Sequence, residues 1–345
     1  MNNVESNWGS WTPSEQLKTD NLEELLQMCP KNKTIVDNLI IAWSKINSSK
    51  YKKICCSISG GSDSDIMLDL VWRCDKNNKV SYVWFDTGLE YQATKDHLKY
   101  LEEKYGIQIV RYKAIKPIPV TCKEYGQPFL NKTVSKYIYN LQRHNFKWED
   151  KTFEELKNEY FGIDSYLKWW CNCNSFKSFN VNYNKYLKQF LIENPPCFKI
   201  SSKCCEYAKK NMSKKLIKER NYNLMVTGVR KSEGGIRSAS YKNCFSENDN
   251  GADFYRPLFW YTNQDKIDYE NAFKVIHSDC YTKYGMDRTG CAGCPFGKYY
   301  LSEFETIKKY EPKLYKAVNF IFKDSYEYTR KYKKFCEEMR SKEKE

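Results

Sequence analysis

Glycine is scarce in this chain, with 15 residues in 345, and histidine scarcer still, with three. A glycine pair placed in one short loop therefore stands out, and a lone histidine such as His144 reads as structural rather than catalytic. No run of 18 apolar residues occurs, which excludes a membrane-spanning helix. The first residues, Met1-Asn2-Asn3-Val4-Glu5-Ser6, lack a basic stretch followed by an apolar one. No secretory signal is expected, and a cytoplasmic location is. In that reducing compartment the 15 cysteines are not expected to form a disulfide framework. No internal repeat is evident.

What is present begins at Ser59-Gly60-Gly61-Ser62-Asp63-Ser64, between the apolar run Ile54–Ile58 and the amphipathic run Ile66–Val71. That order reads as strand, tight loop, helix. Such a loop offers backbone N–H groups and a positive helix end to an anion, usually phosphate. It lacks the Gly-Lys-Ser/Thr ending of a Walker A loop, which argues against ordinary transfer of a γ-phosphate.

Alternating elements surround it. Residues 51–58, 80–85 and 107–112 read as strands, and 64–74 and 91–105 as helices. After an interruption, 203–220 reads as a helix, 223–229 as a strand and 263–278 as a helix. The repeated β-α-β order predicts an α/β fold, a Rossmann-like doubly wound parallel sheet with right-handed crossovers. Ligands in such sheets bind beyond the C-terminal strand ends, where the glycine loop and Asp86-Thr87-Gly88 both fall. The expected domains are an N-terminal helical segment over 1–50 and a nucleotide-binding α/β domain over 51–114 and 201–300. An inserted helical lid over 115–200, rich in aromatic and basic residues, and a C-terminal helical extension over 301–345 complete the chain. Thr152 and Glu155 have the spacing of a capping box in the lid.

The formal charge of +14 suits a polyanion partner, nucleotide or nucleic acid, although lysine is spread along the chain and also reads as compositional bias. In the lid, Tyr137, Tyr139, Arg143, Phe146, Lys147 and Trp148 mix ring and cation. That mixture suits either a small core or stacking on bases. Cys204-Cys205 and Cys291-Ala292-Gly293-Cys294 are two close pairs far apart in sequence. Four thiolates suit zinc or an iron–sulfur cluster, and the adjacent pair tilts the reading towards iron. Trp169-Trp170-Cys171-Asn172-Cys173 reads equally as a buried aromatic corner or as a reactive CxC pair able to replace a cluster ligand. Cys55 and Cys56 read as core.

The combination resembles the phosphoadenosine phosphosulfate (PAPS) reductase family, within the PP-loop ATP pyrophosphatases or adenine nucleotide alpha-hydrolases. The SGGxDS-like loop, Phe85-Asp86-Thr87-Gly88-Leu89-Glu90, Gly228-Val229-Arg230-Lys231-Ser232-Glu233 followed by Arg237, Arg256-Pro257-Leu258 followed by Trp260, Thr262 and Asp265, and the CC…CxxC cysteines carry the resemblance. It implies that Ser59, Gly60, Gly61, Ser62, Asp63, Ser64, Asp86, Thr87, Gly88, Gly228 and Arg230 hold ATP or adenylyl sulfate. Asp63 would help hold Mg2+, Asp86 would take ribose hydroxyls or metal, and Arg230 and Arg237 would grip phosphate or sulfate, with Glu233 orienting one of them. Cys204, Cys205, Cys291 and Cys294 would hold a 4Fe–4S cluster, with zinc as the fallback. A homodimer is a further expectation from the family.

Two activities follow from the resemblance. One splits ATP to AMP and pyrophosphate to activate an acceptor, then installs sulfur, as in tRNA thiolation or DNA phosphorothioation. Its partners would be a nucleic-acid substrate and a sulfur donor such as a cysteine desulfurase. The other reduces a sulfonucleotide with thioredoxin as electron donor. That second activity needs a nucleophilic cysteine in an ECGLH-like tail, where this chain has Phe335-Cys336-Glu337-Glu338-Met339. A nucleotide- or nucleic-acid-binding module without catalysis is the third reading.

Overall fold

The computed structural model describes residues 18–234, 241–249, 251–297 and 300–343. The chain forms two compact units: 1–84, 93–112 and 215–288 make one, and 85–92, 113–214 and 289–345 make the other.

The first unit is built on a six-stranded sheet: β1 Ile54–Ile58, β2 Val80–Asp86, β3 Ile109–Lys113, β4 Leu224–Thr227, β5 Phe245–Ser246 and β6 Asp253–Tyr255. The spatial order is β3-β2-β1-β4-β6-β5. β1 runs parallel to β2 (Ile54 opposite Val80) and to β4 (Ile54 opposite Leu224). β4 is parallel to β6, and the two-residue β5 closes the edge antiparallel to β6. The expected α/β class and parallel sheet are thus found, with one antiparallel edge. β1 reads as a continuous apolar run because helices cover both of its faces; Cys55 and Cys56 are fully buried within it.

Helix Lys33–Asn47 starts where the Asn32 side chain accepts from the Ile35 N–H, and buries Ile35, Leu39, Ala42 and Ile46 at helical spacing. Helix Ser62–Cys74 buries Ile66, Met67, Leu68, Leu70 and Val71. It also carries the buried ion pair Asp69–Arg73 at 2.7 Å. Asp69 accepts further bonds from Tyr105 Oη at 3.0 Å and Tyr269 Oη at 2.7 Å, so its carboxylate is satisfied, whereas Arg73 Nη1 is buried with no hydrogen-bond partner among the described residues. The helix expected over 263–278 ends at Phe273, because Lys274 turns left-handed (φ 51°).

The second unit has its own core, including Phe129, Ile138, Leu141, Leu167, Trp169, Trp170, Phe190, Tyr328 and Tyr332. The capping box at Thr152 and Glu155 opens helix Phe153–Glu159 as expected. Phe146 and Trp148 are core, and Tyr137 stacks on Trp169 at 5.0 Å, so these lid rings pack among themselves. The helix expected over 203–220 is broken: Lys203–Cys205 leads into a π-helical turn, Glu206–Lys210, before the α-helix Asn211–Arg220. The C-terminal extension is three helices, Tyr300–Tyr310, Pro312–Ile321 and Lys323–Lys342. Pro312 starts the second of them, since a proline without N–H suits a first helical turn.

Candidate functional site

In the first unit the strand order reverses between β1 and β4, so the loops after these two strands flank a topological switch point. The loop after β1 is Ser59–Ser64. Gly60 takes φ +70°, and a Cβ there would meet Thr94 Cγ2 at 2.6 Å, so glycine is required twice over. Ser64 Oγ accepts from the Ser59 N–H at 2.9 Å, and Ser59 Oγ accepts from the Gly61 N–H at 3.3 Å. Gly61 caps helix Ser62–Cys74 without a side-chain hydrogen bond to that positive helix end. The Ser62 N–H donates to Tyr281 Oη at 3.0 Å.

The loop after β4 brings the cations. At Gly228 a Cβ would stand 3.1 Å from the Asp63 carbonyl oxygen, so the two loops pack backbone to backbone. Arg230 is buried, and its Nε lies 2.9 Å from Asp63 Oδ1. Its Nη1 donates to Ser232 Oγ and Asn263 Oδ1, both at 3.0 Å. The Arg230 N–H donates to Glu233 Oε1 at 3.4 Å. Arg237 lies outside the described residues.

A second cation was not legible in the motifs. Lys266 Nζ stands 3.4 Å from Asp63 Oδ1, donates to Ser62 Oγ and lies 3.7 Å from Glu270 Oε1. It sits on helix Asn263–Phe273, whose start is the capping box of Thr262 and Asp265. The Thr and Asp of the Trp260–Asp265 motif thus set that helix and aim Lys266. Beneath the loop, fully buried Asp65 lies 2.9 Å from His277 Nδ1 and 3.1 Å from His97 Nε2. Burial works to raise the Asp65 pKa, but the two histidines outweigh it and hold the pKa below the usual range. His277 Nε2 also meets Glu270 Oε1 at 2.7 Å. Burial disfavours its charge, yet its bonds to Asp65 and Glu270 push its pKa up to about 9.

The second unit holds the remaining candidates. The Gly88 N–H donates to Asp86 Oδ1 at 2.9 Å, and Thr87 Oγ1 donates to Glu90, with Cys291 Sγ 3.6 Å from the same hydroxyl oxygen. The Ala292 N–H donates to the Leu89 carbonyl at 2.8 Å, which ties the Asp86–Glu90 segment to the Cys291–Cys294 loop. Cys205 and Cys291 lie near Cys294, and Cys204 adjoins Cys205 in sequence. Burial pushes Cys294 up to about 12 and raises Cys291. The neighbouring Cys204 thiol, then burial, raises Cys205.

Two further groups join them that sequence reasoning missed. Cys122, on helix Ile118–Tyr125, is a free thiol next to Cys204. Lys209 is set within the π-helical turn that follows Cys205. Lys209 is exposed, and the neighbouring Cys291, then Glu90, raise its pKa. π-Helical turns occur often at functional sites, because one extra residue re-aims the side chains after it.

The donor set, four thiols with a fifth beside them and one cation, fits an iron–sulfur cluster or zinc in number and softness. Among the described residues no three Cys, His, Asp or Glu side chains are closed on a single point. Cys171 Sγ donates to the Lys151 carbonyl at 3.7 Å, and Cys173 Sγ to the Cys171 carbonyl at 3.4 Å. Cys336 is buried against the Lys185 carbonyl, unsuited to act as a nucleophile.

Comparison with known proteins now bears on this geometry. Residues 53–131 match the phosphoadenosine phosphosulfate reductase domain. The matched segment contains the Ser59–Ser64 loop, the Asp86–Glu90 segment and Cys122, while Gly228–Glu233 and the paired cysteines lie beyond it. An uncharacterised protein of Methanocaldococcus jannaschii is 28% identical over 175 residues, 49% of this chain and 35% of that protein. The chain therefore matches little more than a third of that relative's length. Among solved structures, the PAPS reductase of Candida auris in its phosphate complex is 14% identical, covering 80% of this chain and 96% of that one, with a TM-score of 0.40. The U34-tRNA thiolase NcsA of Methanococcus maripaludis, solved with its [4Fe-4S] cluster, is also 14% identical, covering 89% and 81%, with a TM-score of 0.38.

Proposed function

We propose that the chain binds ATP at Ser59–Ser64, cleaves it to AMP and pyrophosphate to activate an acceptor, and transfers sulfur to that acceptor. The observation that carries this reading is the convergence of Arg230 and Lys266 on Asp63 within a loop built to present backbone N–H groups. Two cations on one carboxylate are poised to exchange it for phosphate oxygens, with Arg230 supplying a planar fork and Lys266 a point charge. The acceptor oxygen attacks the α-phosphorus, the bond from that phosphorus to the bridging oxygen breaks, and pyrophosphate leaves with the electron pair. A sulfur nucleophile then displaces AMP from the adenylated acceptor.

Mg2+, when bound, offsets pyrophosphate charge, and Asp63 is the loop carboxylate suited to hold it. Cys204, Cys205, Cys291 and Cys294 would hold the 4Fe–4S cluster, which when bound supplies a soft site for sulfur or electrons. Lys209 keeps a positive charge near Cys291, and Thr87 Oγ1 lies 3.6 Å from Cys291 Sγ. The burial of Cys336 favours this reading over thioredoxin-dependent sulfonucleotide reduction, which needs an accessible thiol. A nucleic-acid acceptor fits the positive charge of the chain.

The test is to incubate the full chain, purified without oxygen, with Mg2+, ATP labelled at the α-phosphate, and bulk tRNA or DNA. AMP with pyrophosphate is expected. ADP with phosphate, or conversion of PAPS to sulfite without ATP, overturns the reading.

A further inference from the structure

The second unit displays three aromatic rings that its core does not use. Phe176 is 73% exposed, Phe179 49% and Tyr183 67%. Isolated exposed rings are common on protein surfaces, but three within eight residues form a patch that costs solvation free energy and calls for a partner. The segment is held in shape. Asn174 and Asn180 bond reciprocally: the Asn174 N–H donates to Asn180 Oδ1 at 3.0 Å, and Asn180 Nδ2 donates to the Asn174 carbonyl at 3.0 Å. Asn174 Nδ2 also donates to the Phe179 carbonyl at 2.6 Å. Asn172, left-handed at φ 58°, accepts from the Asn182 N–H at 3.0 Å.

Two short 3-10 turns, Lys177–Phe179 and Val181–Tyr183, fill this frame, and Val181 anchors it by complete burial in the core. Phe176 and Phe179 stand edge to face, 6.3 Å between centroids at 76°. A floppy loop would collapse its rings onto the protein. This one is braced to hold them outward.

The surrounding charge selects the partner. From Ser165 to Ile192 the chain has four lysines (168, 177, 185 and 188) and no acidic residue. Lys185 and Lys188 are paired to Glu343 and Asp150, whereas Lys177, between the two phenylalanines, forms no ion pair among the described residues. Rings that stack and a cation between them, on a segment whose Asn172, Asn174 and Asn180 amides hold it in shape, are the components of a single-strand platform.

We propose that Phe176, Phe179 and Tyr183 form a stacking surface for unpaired bases of a single-stranded nucleic acid, with Lys177 on its phosphates. The proposal does not rest on the activity assigned to the glycine loop, although a nucleic-acid acceptor would make use of both.

The test is fluorescence anisotropy of a dye-labelled single strand of about twelve nucleotides, as RNA and as DNA, against the full chain and the variant F176A/F179A/Y183A. Because these side chains are exposed, the variant is expected to fold, with an unchanged melting temperature and unchanged ATP affinity as controls. Stacking is worth enough per base that the triple variant should bind single strands at least 30-fold more weakly, about tenfold for one ring alone. Duplex affinity should change less than about threefold, because its phosphate contacts remain. K177Q should lower the salt dependence of binding by about one phosphate contact. A preference of the intact chain for RNA or for DNA identifies which strand it takes. Absence of single-strand binding by the intact chain overturns the proposal. So does equal loss on single strand and duplex, or a shift of oligomeric state in the variant, which would mean that the rings pack against a second copy. Unchanged ATP affinity in the variant would leave the reading of the glycine loop standing in each of these cases.

Discussion

Lys266 Nζ lies 3.4 Å from Asp63 Oδ1, and Arg230 Nε lies 2.9 Å from the same oxygen. One carboxylate therefore neutralises two cations in a loop shaped for an anion, and the three side chains act as a unit that a phosphate must reorganise.

This arrangement gives opposite expectations for its members. Lys266→Met should weaken pyrophosphate and ATP binding at least tenfold by calorimetry, since a charge-assisted contact contributes about 1.5–3 kcal/mol. Asp63→Asn should strengthen metal-free pyrophosphate binding several-fold by freeing both cations, and abolish the gain that added Mg2+ produces. A Lys266→Met variant that binds within twofold of the parent would remove Lys266 from the site.

Gly60 is fixed by both its φ and its contact with Thr94. Gly60→Ala should destabilise the fold by about 1–3 kcal/mol and reduce nucleotide affinity, because the loop must shift to seat the methyl. Pairing it with Thr94→Ser removes the methyl that the new Cβ strikes and should recover part of the stability but little of the affinity, since the strained φ remains. Full recovery of both would show that the contact alone matters.

His277 links pH to stability. Its folded pKa of about 9 lies above the unfolded value near 6.5, so its contribution is complete below about pH 6.5 and is lost as pH rises through about 9. The groups facing it are Asp65 and Glu270, with Lys266 next to Glu270 and His97 on the far side of Asp65. Melting temperature should fall across that window by the equivalent of roughly 2–3 kcal/mol. In His277→Gln the slope should flatten. A parent curve that is level from pH 6 to 9.5 would contradict the network.

The thiols predict a metal content. Protein prepared without oxygen should be brown and carry about four irons and four sulfides per chain. Cys205→Ser and Cys291→Ser should lose both, whereas Cys336→Ser should keep the full complement and cost little stability. A colourless preparation with about one zinc per chain would make the four thiols a structural centre.

Much of the first unit was legible because its signals are local. The apolar run Ile54–Ile58, the glycine pair and the buried face of Ser62–Cys74 each declare themselves within a few residues. The capping box at Thr152 and Glu155 is equally local. The choice of Cys204, Cys205, Cys291 and Cys294 as a ligand set came from motif resemblance, not from any local rule. Cys122, Lys209, Lys266 and His277 were not read, because nothing near them in sequence distinguishes them from other cysteines, lysines or histidines. Lys266 is one lysine of a charged helix until Thr262 and Asp265 set its rotation. Lys209 depends on a π-helical turn that no spacing announces. The stop at Lys274 shows the same limit, since a left-handed lysine carries no sequence mark.

The pairing of β1 with β4 has a consequence for how the chain is made. Lys53 and Asn223, bonded at the start of these two strands, are 170 residues apart. During synthesis β1 can meet β2 early, but its other edge stays open until β4 emerges, long after. An unpaired apolar strand waiting that long is a template for the wrong neighbour. Sheets closed by such distant partners form slowly. The stretch that separates the strands carries most of a second core, able to collapse while β1 waits. Refolding from denaturant should therefore be slow and sensitive to protein concentration, and synthesis on the ribosome should give a higher yield than dilution of the finished chain.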